Sequence, residues 1–199
     1  MTPRWILAFA GSVMLMMSIA ACTTSTSSSS GSGTSDTTVD LLRDRGLAAK
    51  AVTALSRTIG TEAPRVSDVT MYPEYVSVEA QDPGNLEHID SYEWRDDDVG
   101  LPEPVHLSGP QEDIEASLYP LKSVHWVDLP AMVHAAEQAA EDATPIRVEQ
   151  ARANYVIVDR TSSSDGDSRV VVRIYIDGPR RSAYVELTPT GEIIGVSVS

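Results

Sequence analysis

The sequence predicts an α+β protein made of two tandem modules, each with one helix packed on an antiparallel sheet of three or four strands. Three observations lead to this fold class. Apolar residues recur with helical spacing in two segments, alternating apolar and polar residues follow each segment, and turn-forming residues separate the alternating runs. The 199 residues, 42% of them apolar, suffice for one large or two small domains.

The first module is predicted over residues 40–120. Its helix is expected around 45–59, because four apolar residues fall on one helical face and Gly60 then favours a stop. The four residues are Ala48, Val52, Leu55 and Ile59. Strands are predicted at 75–79, 87–95 and 104–107, with a turn signal at 82–85.

The second module is predicted over residues 121–199. Asp128 is a candidate N-cap for a helix whose apolar stripe includes Leu129, Val133 and Ala140. Strands are predicted at 155–159, 169–177, 183–187 and 193–198. The segments that begin at Tyr75 and Tyr155 resemble each other, which indicates a repeat with a period of 80 residues.

The N-terminal 21 residues have the three parts of a secretory signal peptide. A basic start is followed by the apolar run 5–17 and by small residues that precede Cys22, the chain's one cysteine. The segment Ile19-Ala20-Ala21-Cys22 resembles a bacterial lipobox. This resemblance implies that signal peptidase II cuts before Cys22 and that Cys22 becomes a lipidated N-terminus. The alternative is an ordinary signal peptide with an incidental cysteine.

A tether is predicted to follow the lipidated cysteine, over residues 22–39. Residues 23–38 contain no apolar side chain and are rich in Ser, Thr and Gly, so they bury nothing. As a random coil this stretch has an end-to-end distance of roughly 20 Å. The expected location is the extracytoplasmic face of the cell membrane, with the acyl chains on Cys22 in the bilayer.

The closing segment of the chain carries a second resemblance. Residues 183–194 read AYVELTPTGEII, and this resembles the final hairpin of PepSY-type domains. The helix-plus-sheet unit is also similar to the modules of tandem β-lactamase inhibitor proteins. These resemblances imply an extracytoplasmic, non-catalytic protein that binds other proteins, and they carry over no functional residue.

The charge distribution restricts the partners. The chain has 15 Lys+Arg against 29 Asp+Glu, a net charge of −14, so no nucleic acid partner is expected. Residues 36–115 alone hold 18 acidic and 6 basic side chains. This half is either an electrostatic patch that steers a basic partner or a surface that prevents aggregation.

The candidate partner-binding residues are Tyr92, Trp94, Asp96, Asp97 and Asp98. Tyr92 and Trp94 share one face of a predicted strand, as an interface anchor or as sheet packing. The three aspartates are a cluster in a turn. No cofactor or metal site is predicted, because no nucleotide motif occurs and the four histidines lack helical metal spacing.

The function predicted from these observations is that of a membrane-anchored lipoprotein, a non-catalytic binding module for a protein or a cell-envelope component. The alternative is an envelope carrier that holds a lipid or small molecule in an apolar cavity between sheet and helices. No enzymatic motif is present, so the protein is not expected to be an enzyme.

The anchoring prediction has a direct test. Cys22→Ser should prevent lipidation, and the protein should then be released from the membrane or remain unprocessed. Mass spectrometry of the mature wild-type protein should find acyl chains on an N-terminal Cys22. An unmodified N-terminus downstream of residue 22 would contradict the lipobox assignment.

Overall fold

The computed structural model describes residues 39–107, 111–162 and 168–199, with the backbone alone at 111–113 and 162. The predicted signal peptide over 1–21, Cys22 and residues 23–38 of the linker therefore lie outside the described residues. The chain from Thr37 to Ser199 forms one compact unit. Every residue of the apolar core described below lies within this unit, so we expect a fragment of residues 37–199 to fold.

Three helices and ten strands make up the described chain. The helices are α1 at Leu47–Ile59, the short α2 at Gln111–Ser117 and α3 at Leu129–Asp142, and 3₁₀ turns lie at Leu121–Ser123 and Trp126–Asp128. The strands are β1 (Arg65–Met71), β2 (Tyr75–Asp82), β3 (Asn85–Arg95), β4 (Asp98–Val99), β5 (Glu103–Pro104), β6 (Tyr119–Pro120), β7 (Arg152–Ser162), β8 (Ser168–Asp177), β9 (Ser182–Leu187) and β10 (Ile193–Val198).

All ten strands belong to one antiparallel sheet. Its order is β10-β9-β8-β7-β1-β2-β3-β4, and the short β5 and β6 pair with β3 and β1. The two halves of the chain meet where β1 pairs with β7, over four residue pairs that run from Asp68 with Asp159 to Met71 with Val156. We call this pairing the seam.

The prediction of two helix-on-sheet modules is wrong, because the seam joins all strands into a single ten-stranded sheet. The physical reason is that separate sheets would leave β1 and β7 as edge strands with unpaired backbone groups, and pairing them satisfies both. The proposed repeat also aligned different elements. Tyr75 lies in β2 whereas Tyr155 lies in β7, and the strand beside β7 is β1.

One face of the sheet, here called the inner face, carries the core. Val69 of β1 and Val158 of β7 are paired across the seam, and both are fully buried in one apolar cluster with residues of α1 and α3. Cross-strand partners point to the same face, so both helices cover the same side of the sheet. Val52 of α1 and Val133 of α3 are 7% and 1% exposed.

Local sequence explains where the helices begin and end. Gly46 and Gly60 flank α1 with φ of 80° and 83°, a left-handed conformation that glycine adopts without a steric penalty. Pro130 stands in the first turn of α3, where its missing N–H costs no hydrogen bond. Between the helices, the Tyr119 hydroxyl donates to the carbonyl of Val158 at 2.7 Å and thereby ties the connecting segment to β7.

The opposite face of the sheet, here called the open face, is covered by α2 at one end. Glu115 of α2 accepts hydrogen bonds from Arg65 at 2.9 Å and from Gln81 at 3.0 Å. These two residues lie at the start of β1 and the end of β2, so α2 sits over that end. The other end of the open face, near the β1–β2 turn, carries the features described next.

Candidate functional site

Five of the seven tyrosines line up across the open face. Tyr155, Tyr175 and Tyr184 are successive cross-strand partners on β7, β8 and β9. Tyr75 begins β2, and Tyr72 follows the last residue of β1. We call these five side chains the tyrosine ladder.

The rings of the ladder stack on one another. Three pairs of rings are stacked. Their centroid distances are 4.8 Å for Tyr72–Tyr75, 5.1 Å for Tyr72–Tyr155 and 4.4 Å for Tyr155–Tyr175. The fourth pair, Tyr175–Tyr184, is tilted, and its centroids are 5.9 Å apart. These steps match the strand spacing of ~4.8 Å, so the ladder extends roughly 20 Å across the sheet. The step from Tyr72 to Tyr155 crosses the seam.

Arginines stand beside both ends of the ladder. The guanidinium of Arg95 lies 4.3 Å from the ring centroid of Tyr75, and that of Arg173 lies 5.9 Å from the centroid of Tyr184. Both distances are within cation–π range. Within the ladder, the faces of the tyrosine rings are therefore covered by neighbouring rings. The ring edges and the hydroxyl groups remain available to contact a partner.

The ladder hydroxyls are available as hydrogen-bonding groups. None of the hydrogen bonds between described residues uses them, and Tyr184 is 37% exposed. Burial raises the pKa of the Tyr75 and Tyr155 hydroxyls, with further contributions from Tyr72 and nearby acidic residues. These phenols therefore stay protonated at neutral pH and both donate and accept hydrogen bonds.

A charged row runs beside the ladder. Arg173 of β8 bridges two strands, because its Nη1 lies 3.1 Å from Asp159 Oδ2 of β7 and its Nε lies 3.2 Å from Glu186 Oε1 of β9. On the other side of the seam, Glu93 pairs with Arg95 at 2.9 Å. Carboxylates thus flank the ladder on both halves of the sheet.

The next row, toward α2, holds three carboxylates on adjacent strands. Asp68 of β1 is the cross-strand partner of Glu79 on β2 and of Asp159 on β7. Burial raises the pKa of Asp68 to about 6, a hydrogen bond from Thr70 lowers it in part, and the charges of Glu79 and Asp159 raise it further. Asp159 Oδ1 is itself buried without a hydrogen-bond partner among the described residues.

The residues proposed from the sequence do not form one surface. Tyr92 and Trp94 pack in the core and are 6% and 1% exposed, which fits the packing alternative that the sequence left open. Asp96, Asp97 and Asp98 lie exposed at the adjoining β3–β4 turn, where Asp97 pairs with Lys50 of α1 at 2.6 Å. The structure therefore separates the two aromatic residues from the three aspartates.

The histidines lie apart from the ladder. His88 contacts Asn85 within its own hairpin, and His125 lies 3.8 Å from Asp128 in the connecting segment. Within the described ranges, no three His, Cys, Asp or Glu side chains are arranged to hold a metal ion. No helix among the described residues is both long and apolar enough to cross a bilayer.

A surface groove of about 470 Å³ lies between α1 and the connecting segment. Apolar and polar residues line it together, among them Val52, Thr53, Glu62, Lys122 and Trp126. The charged side chains of Glu62 and Lys122 stand among the apolar ones, and the groove is open at the surface.

No family model matches the chain, and neither curated protein sequences nor solved structures give a match. The resemblances to the lipobox and to PepSY-type domains therefore stay predictions.

Asp68 makes the stability of the protein depend on pH. Its folded-state pKa of about 6 lies above the ordinary 3.8, so the folded state binds the proton more tightly than the unfolded state does. The resulting stabilisation is present below the unfolded pKa and is lost as pH rises through 6. Asp68→Asn should therefore raise Tm at pH 7.5 by about 2–4 °C, allowing for partial exposure, and much less at pH 4.

Thermal unfolding at the two pH values measures this effect. Asp96→Asn, on the exposed turn, is the matched control and should show no comparable change with pH. An equal Tm gain for Asp68→Asn at pH 4 and pH 7.5 would contradict the assignment.

Proposed function

We propose that the protein is an extracytoplasmic lipoprotein, held on the cell membrane by acyl chains on Cys22, that binds a basic protein partner without catalysis. The binding surface is the part of the open face that carries the tyrosine ladder. The observation that carries this proposal is the ladder itself, a continuous row of five stacked tyrosines flanked by carboxylates.

The composition of the ladder favours a protein interface. Tyrosine is enriched at interfaces because it offers a large amphipathic area at a small cost in side-chain entropy. Stacking already restricts these five rings, so little further entropy is lost when a partner binds. Their free hydroxyls supply polar contacts along a row of roughly 20 Å, which suits an extended segment laid across the strands.

Electrostatics favour a basic partner. Four carboxylates lie beside the ladder, those of Glu79, Glu93, Asp159 and Glu186. Two arginines, Arg95 and Arg173, pair with three of them, so the carboxylates remain in excess. Residues 36–115 also contain an excess of acidic side chains. Such a surface increases the rate of encounter with Lys- and Arg-rich segments and repels acidic ones.

The carrier alternative has less support. Apolar side chains of α1, α3 and the inner face form one packed cluster in the space where the carrier would need an apolar cavity. The groove beside α1 lies at the surface, and the charged Glu62 and Lys122 are among its lining residues.

The fragment of residues 37–199 provides a test with a defined probe, a short peptide of alternating Lys and Ser. Titration at physiological salt should perturb the NMR signals of the ladder rings, whereas a peptide of alternating Glu and Ser should not. Replacing two central rings by Tyr155→Ser and Tyr175→Ser should weaken binding by about tenfold or more, equivalent to ~1.4 kcal/mol.

The control removes charge from the exposed turn by Asp96→Asn and Asp98→Asn, and it should leave the affinity within about twofold. Equal losses in the ladder and turn variants would mean that overall charge holds the peptide, and would overturn the assignment. Perturbation of the ladder by soluble peptidoglycan fragments, without a response to the basic peptide, would replace the protein partner by an envelope glycan.

A further inference from the structure

Three arginines line a cleft at the β8–β9 turn, and this cleft shares no lining residue with the tyrosine ladder or with the charged rows beside it. The cleft has a volume of about 240 Å³ and is lined by Arg147, Glu149, Pro179, Arg180 and Arg181. Arg180 and Arg181 belong to the turn itself, whereas Arg147 belongs to the segment that follows α3. We call this feature the arginine cleft.

Backbone contacts hold the two walls of the cleft together. A Cβ atom at Gly178 would lie 2.6 Å from both the Glu149 carbonyl oxygen and Val148 Cγ1, so only glycine permits this approach. The Gly178 N–H donates to the Arg181 carbonyl at 2.9 Å, and the Val148 N–H donates to the Ala140 carbonyl at 2.9 Å. Val148 is fully buried, which anchors its segment to the core.

The charges in the cleft are poorly compensated. Glu149 is the one carboxylate of its lining, and its Oε1 lies 3.7 Å from Arg147 Nη2. No ion pair with a described residue involves Arg180 or Arg181. In a chain with 15 basic and 29 acidic side chains, three guanidinium groups around one small cleft leave an excess of positive charge. All three arginines are exposed, so water and salt screen their mutual repulsion, and a bound anion would offset the part that remains.

We propose that the arginine cleft binds the phosphate group of an anionic ligand. Guanidinium groups form paired hydrogen bonds with phosphate oxygens, and a planar donor fork suits this geometry better than an ammonium group does. The volume is below that of sites for drug-sized ligands, which start at ~300 Å³, and it suits a single ionic group. Glu149 competes with the phosphate for Arg147.

The position of the cleft points to one source of phosphate. The Leu41 N–H donates to the Pro73 carbonyl at 2.8 Å, so the described chain starts beside the β1–β2 turn. This turn and the β8–β9 turn lie at the same end of the sheet, because Met71 pairs with Val156 and Arg152 pairs with Asp177. The first described residues therefore lie at the end of the sheet that bears the arginines.

The headgroups of anionic membrane lipids are thus the expected phosphate source, and this use of the cleft rests on the proposed lipid anchor. Binding of phosphate itself does not depend on the anchor or on the basic partner of the tyrosine ladder. The two proposals therefore succeed or fail separately.

Titration of the 37–199 fragment with inorganic phosphate, against chloride at equal ionic strength, tests the cleft. The arginine Nε–H NMR signals of Arg180 and Arg181 should shift and saturate. Arg180→Gln with Arg181→Gln should weaken phosphate binding by about tenfold or more, whereas Glu149→Gln should strengthen it. Arg57→Gln, an exposed arginine on α1, is the matched control and should leave binding unchanged.

Absence of a saturating shift at Arg180 and Arg181 in the wild type would overturn the proposal. Equal shifts of the Arg147 Nε–H signal in the wild type and in the Arg180→Gln/Arg181→Gln variant would overturn it as well. A second arm uses phosphatidylcholine vesicles with and without phosphatidylglycerol. Sedimentation of the fragment with the anionic vesicles alone, lost in the double variant, supports the lipid source. Phosphate binding without vesicle binding supports the cleft and overturns the lipid source.

Discussion

The pairing of β1 with β7 is the interaction on which the rest of the structure depends. It is made of only four residue pairs, from Asp68 with Asp159 to Met71 with Val156. These pairs satisfy the backbone groups of two strands that would otherwise be edges. They also place Val69 and Val158 in the same core, so that α1 and α3 share one apolar cluster instead of burying two small ones.

The seam also creates the surface features of the open face. Tyr72 and Tyr155 belong to different halves of the chain and stack because their strands are neighbours. The same pairing brings Asp159 beside Asp68, and the resulting repulsion, added to burial, raises the pKa of Asp68. The seam thus produces both the continuous tyrosine ladder and the row of carboxylates that destabilises the protein.

Local patterns predicted both long helices and most of the long strands, but they predicted neither the short α2, β4 and β6 nor the assembly of the sheet. The apolar stripe before Gly60 correctly indicated α1, and Asp128 correctly preceded α3. Pairing between strands more than eighty residues apart leaves no periodic signal, so the single sheet was missed. The spacing of Tyr92 and Trp94 showed that they share a face but not which face. The ladder was missed because its five tyrosines become neighbours only once the strand register is known.

Cysteine cross-linking across the seam tests this account most directly. The fragment of residues 37–199 contains no native cysteine. Thr70 and Ile157 are paired on the open face, and paired residues have Cα atoms ~4.5–5.5 Å apart, within disulfide range. Oxidation of Thr70→Cys/Ile157→Cys should give an intramolecular disulfide, whereas Ser77→Cys/Ile157→Cys, with β1 between them, should not. Failure of the first pair to close, or equal closure of both, would contradict a single sheet joined at β1 and β7.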